Sequence, residues 1–120
     1  MDCIFCKIIK GEIPSYKVYE DEKIYAFLDI NPYSNGHTLI VPKRHTLDIT
    51  TIPDSTLNHI MKKSKDIAKT VTTKLNADGY TLIQNNGFVQ EVKHFHLHVI
   101  PKYISNKDFP VEEVYKIITK

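Results

Sequence analysis

Apolar residues recur along the chain with two different periods. Residues 16–20 (Tyr-Lys-Val-Tyr-Glu) and 23–29 (Lys-Ile-Tyr-Ala-Phe-Leu-Asp) are rich in β-branched and aromatic side chains and flank Asp21-Glu22, which predicts two strands of a hairpin. The turn formers Asn31-Pro32-Tyr33-Ser34-Asn35-Gly36 follow, and residues 37–41 (His-Thr-Leu-Ile-Val) predict a third strand closed by Pro42. The period then lengthens. Leu57, Ile60, Met61, Ile67, Ala68, Val71 and Leu75 recur mostly every three or four positions, with Lys62, Lys63, Lys65, Lys69 and Lys74 mainly opposite, which predicts one long helix. Pro53 suits its first turn after Thr51 as N-cap, and Gly79 its end. Residues 80–84 and 95–102 predict a fourth and a fifth strand around the turn Asn85-Asn86-Gly87, the last halting near Pro101. Short helices are expected at residues 3–10, stopped by Gly11, and after Phe109-Pro110. The sum is an α+β fold: about five antiparallel strands, one long central helix, and short N- and C-terminal helices.

The 120 residues fit a single domain over 1–120, large enough to bury a core without covalent staples. The apolar runs fall far short of the ~20 residues of a membrane span. Met1-Asp2-Cys3 opens without an apolar leader segment, so a cytoplasmic chain with no membrane partner is expected. A net charge of +2, with 16 basic residues spread among 14 acidic ones, argues against electrostatic nucleic-acid binding. Seven Tyr and five Phe supply core anchors and argue against disorder. The two cysteines, Cys3 and Cys6, are spaced Cys-x₂-Cys. A reducing compartment disfavours a structural disulfide, which leaves a metal half-site, a redox pair or two ordinary thiols.

The chemistry concentrates in Lys93-His94-Phe95-His96-Leu97-His98-Val99-Ile100-Pro101. On an extended strand, alternate side chains share a face. Three imidazoles therefore project together, roughly 7 Å apart at a rise of about 3.3–3.4 Å per residue. Phe95, Leu97 and Val99 project into the core. A strand needing only solubility would carry Lys, Glu or Thr there; imidazoles offer a base, a nucleophile or metal ligands near neutral pH. Two chemistries fit: a catalytic zinc held by strand histidines, or an imidazole acting as a covalent nucleophile on phosphorus.

His94-Phe95-His96-Leu97-His98-Val99-Ile100 resembles the signature of the histidine-triad (HIT) family. The opening segment from Cys3 to Pro14 resembles the start of its Hint branch. Asp29-Ile30-Asn31-Pro32, the segment from Gly36 to His45, and Gln84-Asn85-Asn86-Gly87 are similar to further family blocks. The resemblance implies a HIT-like homodimer acting at the α-phosphate of purine nucleoside phosphoramidates or dinucleoside polyphosphates. It implies His96 as the nucleophile carrying a nucleotidyl intermediate. His98 would bond a phosphate or bridging oxygen, and His37 would be a further active-site histidine. Asp29 would accept the ribose hydroxyls. Ile4, Phe5, Ile8, Phe27, Ile30 and Leu39 would wall the base, Asn85 would contact phosphate, and Gln90 belongs to the phosphate-binding loop. Cys3 and Cys6, with His45 and His94, are candidates for a structural zinc, as in some bacterial relatives.

The loop at residues 85–93 departs from the family pattern. It is about two residues shorter, Val89 stands where a glycine is usual, and Glu91 stands where some relatives carry a small or hydroxylated residue. That departure motivates an alternative, a nucleotide-binding interaction module with little catalysis. A third reading is a hydrolase with zinc on the triad itself.

Overall fold

The computed structural model describes residues 3–105 and 107–120; Met1 and Asp2, on which the leader expectation rests, lie outside them. The elements run α1 (Ile4–Ile9), β1 (Lys17–Glu20), β2 (Ile24–Leu28), β3 (Thr38–Pro42), α2 (Asp54–Lys74), β4 (Gly79–Gln84), β5 (Leu97–Lys102) and α3 (Val111–Ile118). A single 3₁₀ turn spans Gly87–Val89. The five strands form one antiparallel sheet in the order β1-β2-β3-β5-β4. The predicted α+β architecture is the one observed.

All five residues of β2 and of β3 are buried, because both sheet faces are covered there. One face packs Ile24, Ala26, Leu28, Ile40, Leu97 and Val99 against Ile60, Ile67, Ala68 and Val71 of α2. The other gathers Tyr25, Phe27, Leu39 and Val41 with Cys3, Phe5 and Ile8 from α1 and the residue before it. Phe95 is 1% exposed on the helix side, so the alternation expected around the histidines holds.

Several boundaries differ from the sequence expectation. Pro53, not Thr51, is the N-cap of α2. The Thr51 hydroxyl is taken by Asp48, whose N–H donates to it at 3.2 Å. The helix ends with Asn76 in the left-handed region at φ 54, while Gly79 opens β4. Asn tolerates that conformation better than most residues. Met61 is 43% exposed, and Ser64 takes its place in the core by donating to the Met61 carbonyl at 2.7 Å. The β5 ladder begins at Leu97 rather than Phe95 and runs through Pro101. Its pairing with β3 ends at Val99, so the missing N–H of Pro101 costs no bond on that side.

Candidate active site

The chain reaches the site through β5 and the segment just before it. His98 pairs with Leu39 on β3 and with Ile83 on β4. His94 and His96 precede the ladder. They are held by the exit loop of β3, where the Phe95 N–H donates to the Thr46 carbonyl at 2.7 Å.

Ring protons follow from the backbone groups around each imidazole. His96 Nδ1 lies 2.8 Å from the His94 carbonyl, which can only accept. Nδ1 therefore carries the proton and Nε2 keeps a free lone pair. Every buried side-chain nitrogen or oxygen among the described residues has a partner; Nε2 has none, so it opens to the cavity. The Tyr33 N–H donates to His37 Nδ1 at 3.1 Å. That places the His37 proton on Nε2, 2.9 Å from His98 Nδ1. His98 consequently presents Nε2–H outward. Burial first, then the charges of His96 and Lys102, push His37 down to about 4. Burial, then His96 and His37, against Asp29, lower His98 to about 4. Both rings are neutral at neutral pH, and the relay is a chain of oriented dipoles.

His96 and His98 border two cavities. The first, about 210 Å³, is lined by Ile4, Phe5, Ile8, Ile13, Pro14, Ser15, Phe27, Leu28, Asp29, Ile30, Asn31, Leu39, Glu91 and Val92 besides the two histidines. It unites the apolar residues expected around a base with Asp29 at its edge. Phe5 stands edge-on to Phe27 at 5.5 Å and to the His96 ring at 5.1 Å, which fixes the wall beside His96. Asp29 Oδ1 accepts the Asn31 N–H at 2.9 Å, and Oδ2 lies 3.8 Å from His37 Nε2. The second cavity, also about 210 Å³, is lined by Tyr33, Ile83, Asn85, Glu91, His96, His98, Ile100 and Lys102. Asn85 thus lines the cavity that does not contain the apolar wall, with His96 and His98 common to both. Gln90 is buried: it donates to the Leu47 carbonyl at 2.8 Å and accepts the Gly87 N–H at 3.1 Å, bracing the loop from within.

Cys3, Cys6, His45 and His94 converge on one point, with all four ligand atoms within 4.8 Å of one another. The His94 Nδ1 lies 3.4 Å from the Cys3 Sγ and 3.6 Å from the Cys6 Sγ; His45 Nδ1 lies 3.3 Å from the Cys6 Sγ and 3.1 Å from His94 Nδ1. Tetrahedral zinc with Zn–S ~2.3 Å and Zn–N ~2.0–2.1 Å requires S···N edges of about 3.5 Å and N···N edges of about 3.3 Å. The set fits. His94 Nε2–H donates to the Pro42 carbonyl at 2.8 Å, which leaves Nδ1 bare toward the thiols. Burial first pushes the Cys6 thiol up, and Cys3 adds to it, so zinc binding would have to displace protons. Asp29, His37 and His98 form a second close group. The proton that Tyr33 places on His37 Nε2 makes it a donor rather than a ligand.

The profile of the HIT domain matches residues 10–104. The chain belongs to the HIT family. A HIT-like protein of Methanocaldococcus jannaschii is 53% identical over 103 residues, covering 84% of this chain and 79% of that protein. The adenosine 5'-monophosphoramidase HNT1 of Candida albicans is 47% identical over 106 residues, 83% of this chain and 70% of the enzyme. A zinc-bound histidine triad family protein from Mycobacterium smegmatis superposes with TM-score 0.89 at 37% identity, covering 98% of this chain and 91% of that one. This HIT domain is closely related to members of the Hint branch.

Sequence reasoning did not find the Tyr33 N–H, the Pro42 carbonyl, or Ile83, Ile100 and Lys102. The two backbone groups carry no side-chain signal. The other three are joined to the histidines only by strand register.

Proposed function

We propose that this HIT domain is a hydrolase or transferase acting at the α-phosphate of purine nucleoside phosphoramidates or dinucleoside polyphosphates, through a nucleotidyl intermediate on His96. The observation that carries the reading is the His96 tautomer: Nδ1–H is bonded to the His94 carbonyl at 2.8 Å, and Nε2 is free at the wall shared by two cavities. The Nε2 lone pair attacks phosphorus, and the bond to the leaving group breaks. The ring becomes cationic, and the His94 carbonyl stabilises it through Nδ1–H. Water then attacks phosphorus, the P–Nε2 bond breaks, and a nucleoside monophosphate leaves. His98 Nε2–H hydrogen-bonds a phosphate or bridging oxygen. Its neutral ring is too weak an acid to give up that proton, so the leaving group is protonated from water. Such a transition state needs alignment and charge stabilisation above all, which a rigid strand supplies.

The roles of the other residues belong to the same proposal. Asp29 accepts the ribose hydroxyls, and Phe5, Ile8, Phe27, Ile30 and Leu39 wall the base. Asn85 and the loop around Gln90 contact phosphate. Cys3, Cys6, His45 and His94 hold a structural zinc, supported by ligand spacing and by the zinc-bound M. smegmatis relative. That reading keeps the metal off His96 and His98 and sets aside a catalytic zinc on the triad. We further propose one domain over residues 1–120, a cytoplasmic location, no nucleic-acid partner, and a homodimer built on the open edge of β4. Tyr80, Leu82 and Ile83 are exposed along that edge. Among the described residues, no helix is long and apolar enough to cross a membrane.

The test is intact-mass analysis after rapid quench with an adenosine phosphoramidate. Native protein should gain one nucleotidyl group, and His96→Ala should gain none and lose turnover by about 10⁴-fold or more. Near-native turnover by His96→Ala would rule the nucleophile out. Binding without adduct or product in native protein would favour the interaction-module reading.

A further inference from the structure

We propose that Asn35 is a positioning residue. It clasps the C-terminal segment to the turn carrying Tyr33 and His37, and so keeps His98 a hydrogen-bond donor to substrate, a role that rests on the enzyme reading above.

Asn35 sits at the corner of that turn. The His37 N–H donates to the Ser34 carbonyl at 3.2 Å, which makes Asn35 and Gly36 the two central residues. Gly36, at φ +90, supplies the positive angle that the third position of a type II turn requires. Asn35 is 6% exposed, and both its side chain and its carbonyl are engaged by a distant stretch of chain. Its Nδ2–H donates to the Lys107 carbonyl at 2.8 Å, and its Oδ1 accepts the Phe109 N–H at 3.0 Å. The Tyr103 hydroxyl donates to the Asn35 carbonyl at 2.7 Å. Burial pushes that phenol up to about 12, so it keeps its proton at neutral pH. The Ser34 hydroxyl donates to the Pro101 carbonyl alongside. Phe109, Val111 and Val114 border the same small cavity as Asp29 and His37, so the stretch leading into α3 lies against this turn as well.

The relay has two neutral arrangements, and the turn selects between them. Both contain the 2.9 Å bond between His37 Nε2 and His98 Nδ1. With the Tyr33 N–H on His37 Nδ1, the shared proton belongs to His37, and His98 carries its own on Nε2. With Tyr33 turned away, the His37 proton is free to sit on Nδ1. The shared proton would then belong to His98, whose Nε2 would meet substrate as a bare lone pair, against phosphate oxygens that also only accept. Asp29 Oδ2, 3.8 Å from His37 Nε2, favours the first arrangement. It lies beyond hydrogen-bond reach, and in the proposed complex it is taken up by the ribose hydroxyls. The 3.1 Å bond from the Tyr33 N–H is therefore the deciding contact, and it comes from a backbone group two residues before Asn35. Tyr33 is 75% exposed, so burial of its own side chain does not hold that group in place; the clasp at Asn35 does.

The test reads the ring nitrogens directly. Nitrogen NMR of the isotope-labelled full chain at neutral pH should show His37 with Nε2 protonated and Nδ1 bare. In Asn35→Ala the His37 signals should move toward a mixture of the two tautomers, and kcat for an adenosine phosphoramidate should fall about tenfold with KM within about twofold of native. Tyr103→Phe keeps the ring and loses only the hydroxyl. It should move the same signals part-way and lower kcat about threefold, and it carries the test where Asn35→Ala does not fold. A native His37 tautomer in the folded variants, or a loss carried by KM alone, overturns this proposal and leaves the enzyme reading standing. Absence of any turnover and of the His96 adduct in native protein overturns the enzyme reading, and the proposal falls with it.

Discussion

His37 and His98 are held without charge, and their shared hydrogen bond depends on it. Protonating His37 Nδ1 would break its bond from the Tyr33 N–H, and protonating His98 Nδ1 would turn it against His37 Nε2–H. The folded values of about 4 lie below the ordinary 6.5. Between those values the unfolded chain binds more protons, so stability rises with pH there. The contribution is fully present above about 6.5 and is lost as pH falls toward about 4. The melting temperature should therefore drop steadily from pH 7 to pH 4.5, and less steeply in His37→Gln. A flat profile across that window would contradict the neutral relay. Asp21 does not confuse the result. Burial raises its value, but bonds from His59, Tyr19 and two backbone N–H groups outweigh that and hold it below its ordinary 3.8. Its contribution is lost only at more acidic pH.

Between elements, the contacts that set the site are tight at Gly36. It sits at φ +90 in the turn entering β3, and an added Cβ would lie 2.5 Å from Val71 Cγ1 on α2 and 2.6 Å from Cδ1 of Leu75, the residue that caps α2. That turn carries Tyr33 and delivers His37, so the end of α2 positions the relay. Gly36→Ala should cost roughly 1–2 kcal/mol in backbone conformation and about 1–3 kcal/mol in overpacking. Urea unfolding measures it, and a loss under about 0.5 kcal/mol, the range of an inert surface change, would show that the turn can yield. Element types were legible here because the apolar period changes from two to nearly four. Element ends were not. Pro53 and Asn76 end α2 because of local hydrogen bonds and one backbone angle, which periodicity does not encode. Ser64 escaped the core pattern because its hydroxyl is satisfied within the helix.

For the molecule as a whole, the Cys–His cluster joins three distant stretches. It links α1 and the residue before it, the exit of β3 and the segment before β5, across as many as 91 positions between Cys3 and His94. His94 also supplies the carbonyl that orients His96, so a zinc ion there would stiffen the support of the His96 ring. Elemental analysis should find one zinc per chain. Chelation, or Cys3→Ser with Cys6→Ser, should remove it and lower the melting temperature by on the order of 10 °C, as a loss of a few kcal/mol implies for a chain of this size. Retention of full thermal stability by metal-free protein would refute the structural role.

The amino-acid order alone determined the strand and helix types, the face shared by His94, His96 and His98, and the Cys-x₂-Cys spacing of Cys3 and Cys6. These depend on local periodicity and on side-chain chemistry, which short stretches carry. Only the tertiary structure decided which nitrogen of each ring bears a proton, that His37 lies against His98, and that His96 borders two cavities rather than one. Those features arise where backbone groups and strands distant in sequence meet, and strand register and loop crossing are properties of the folded chain.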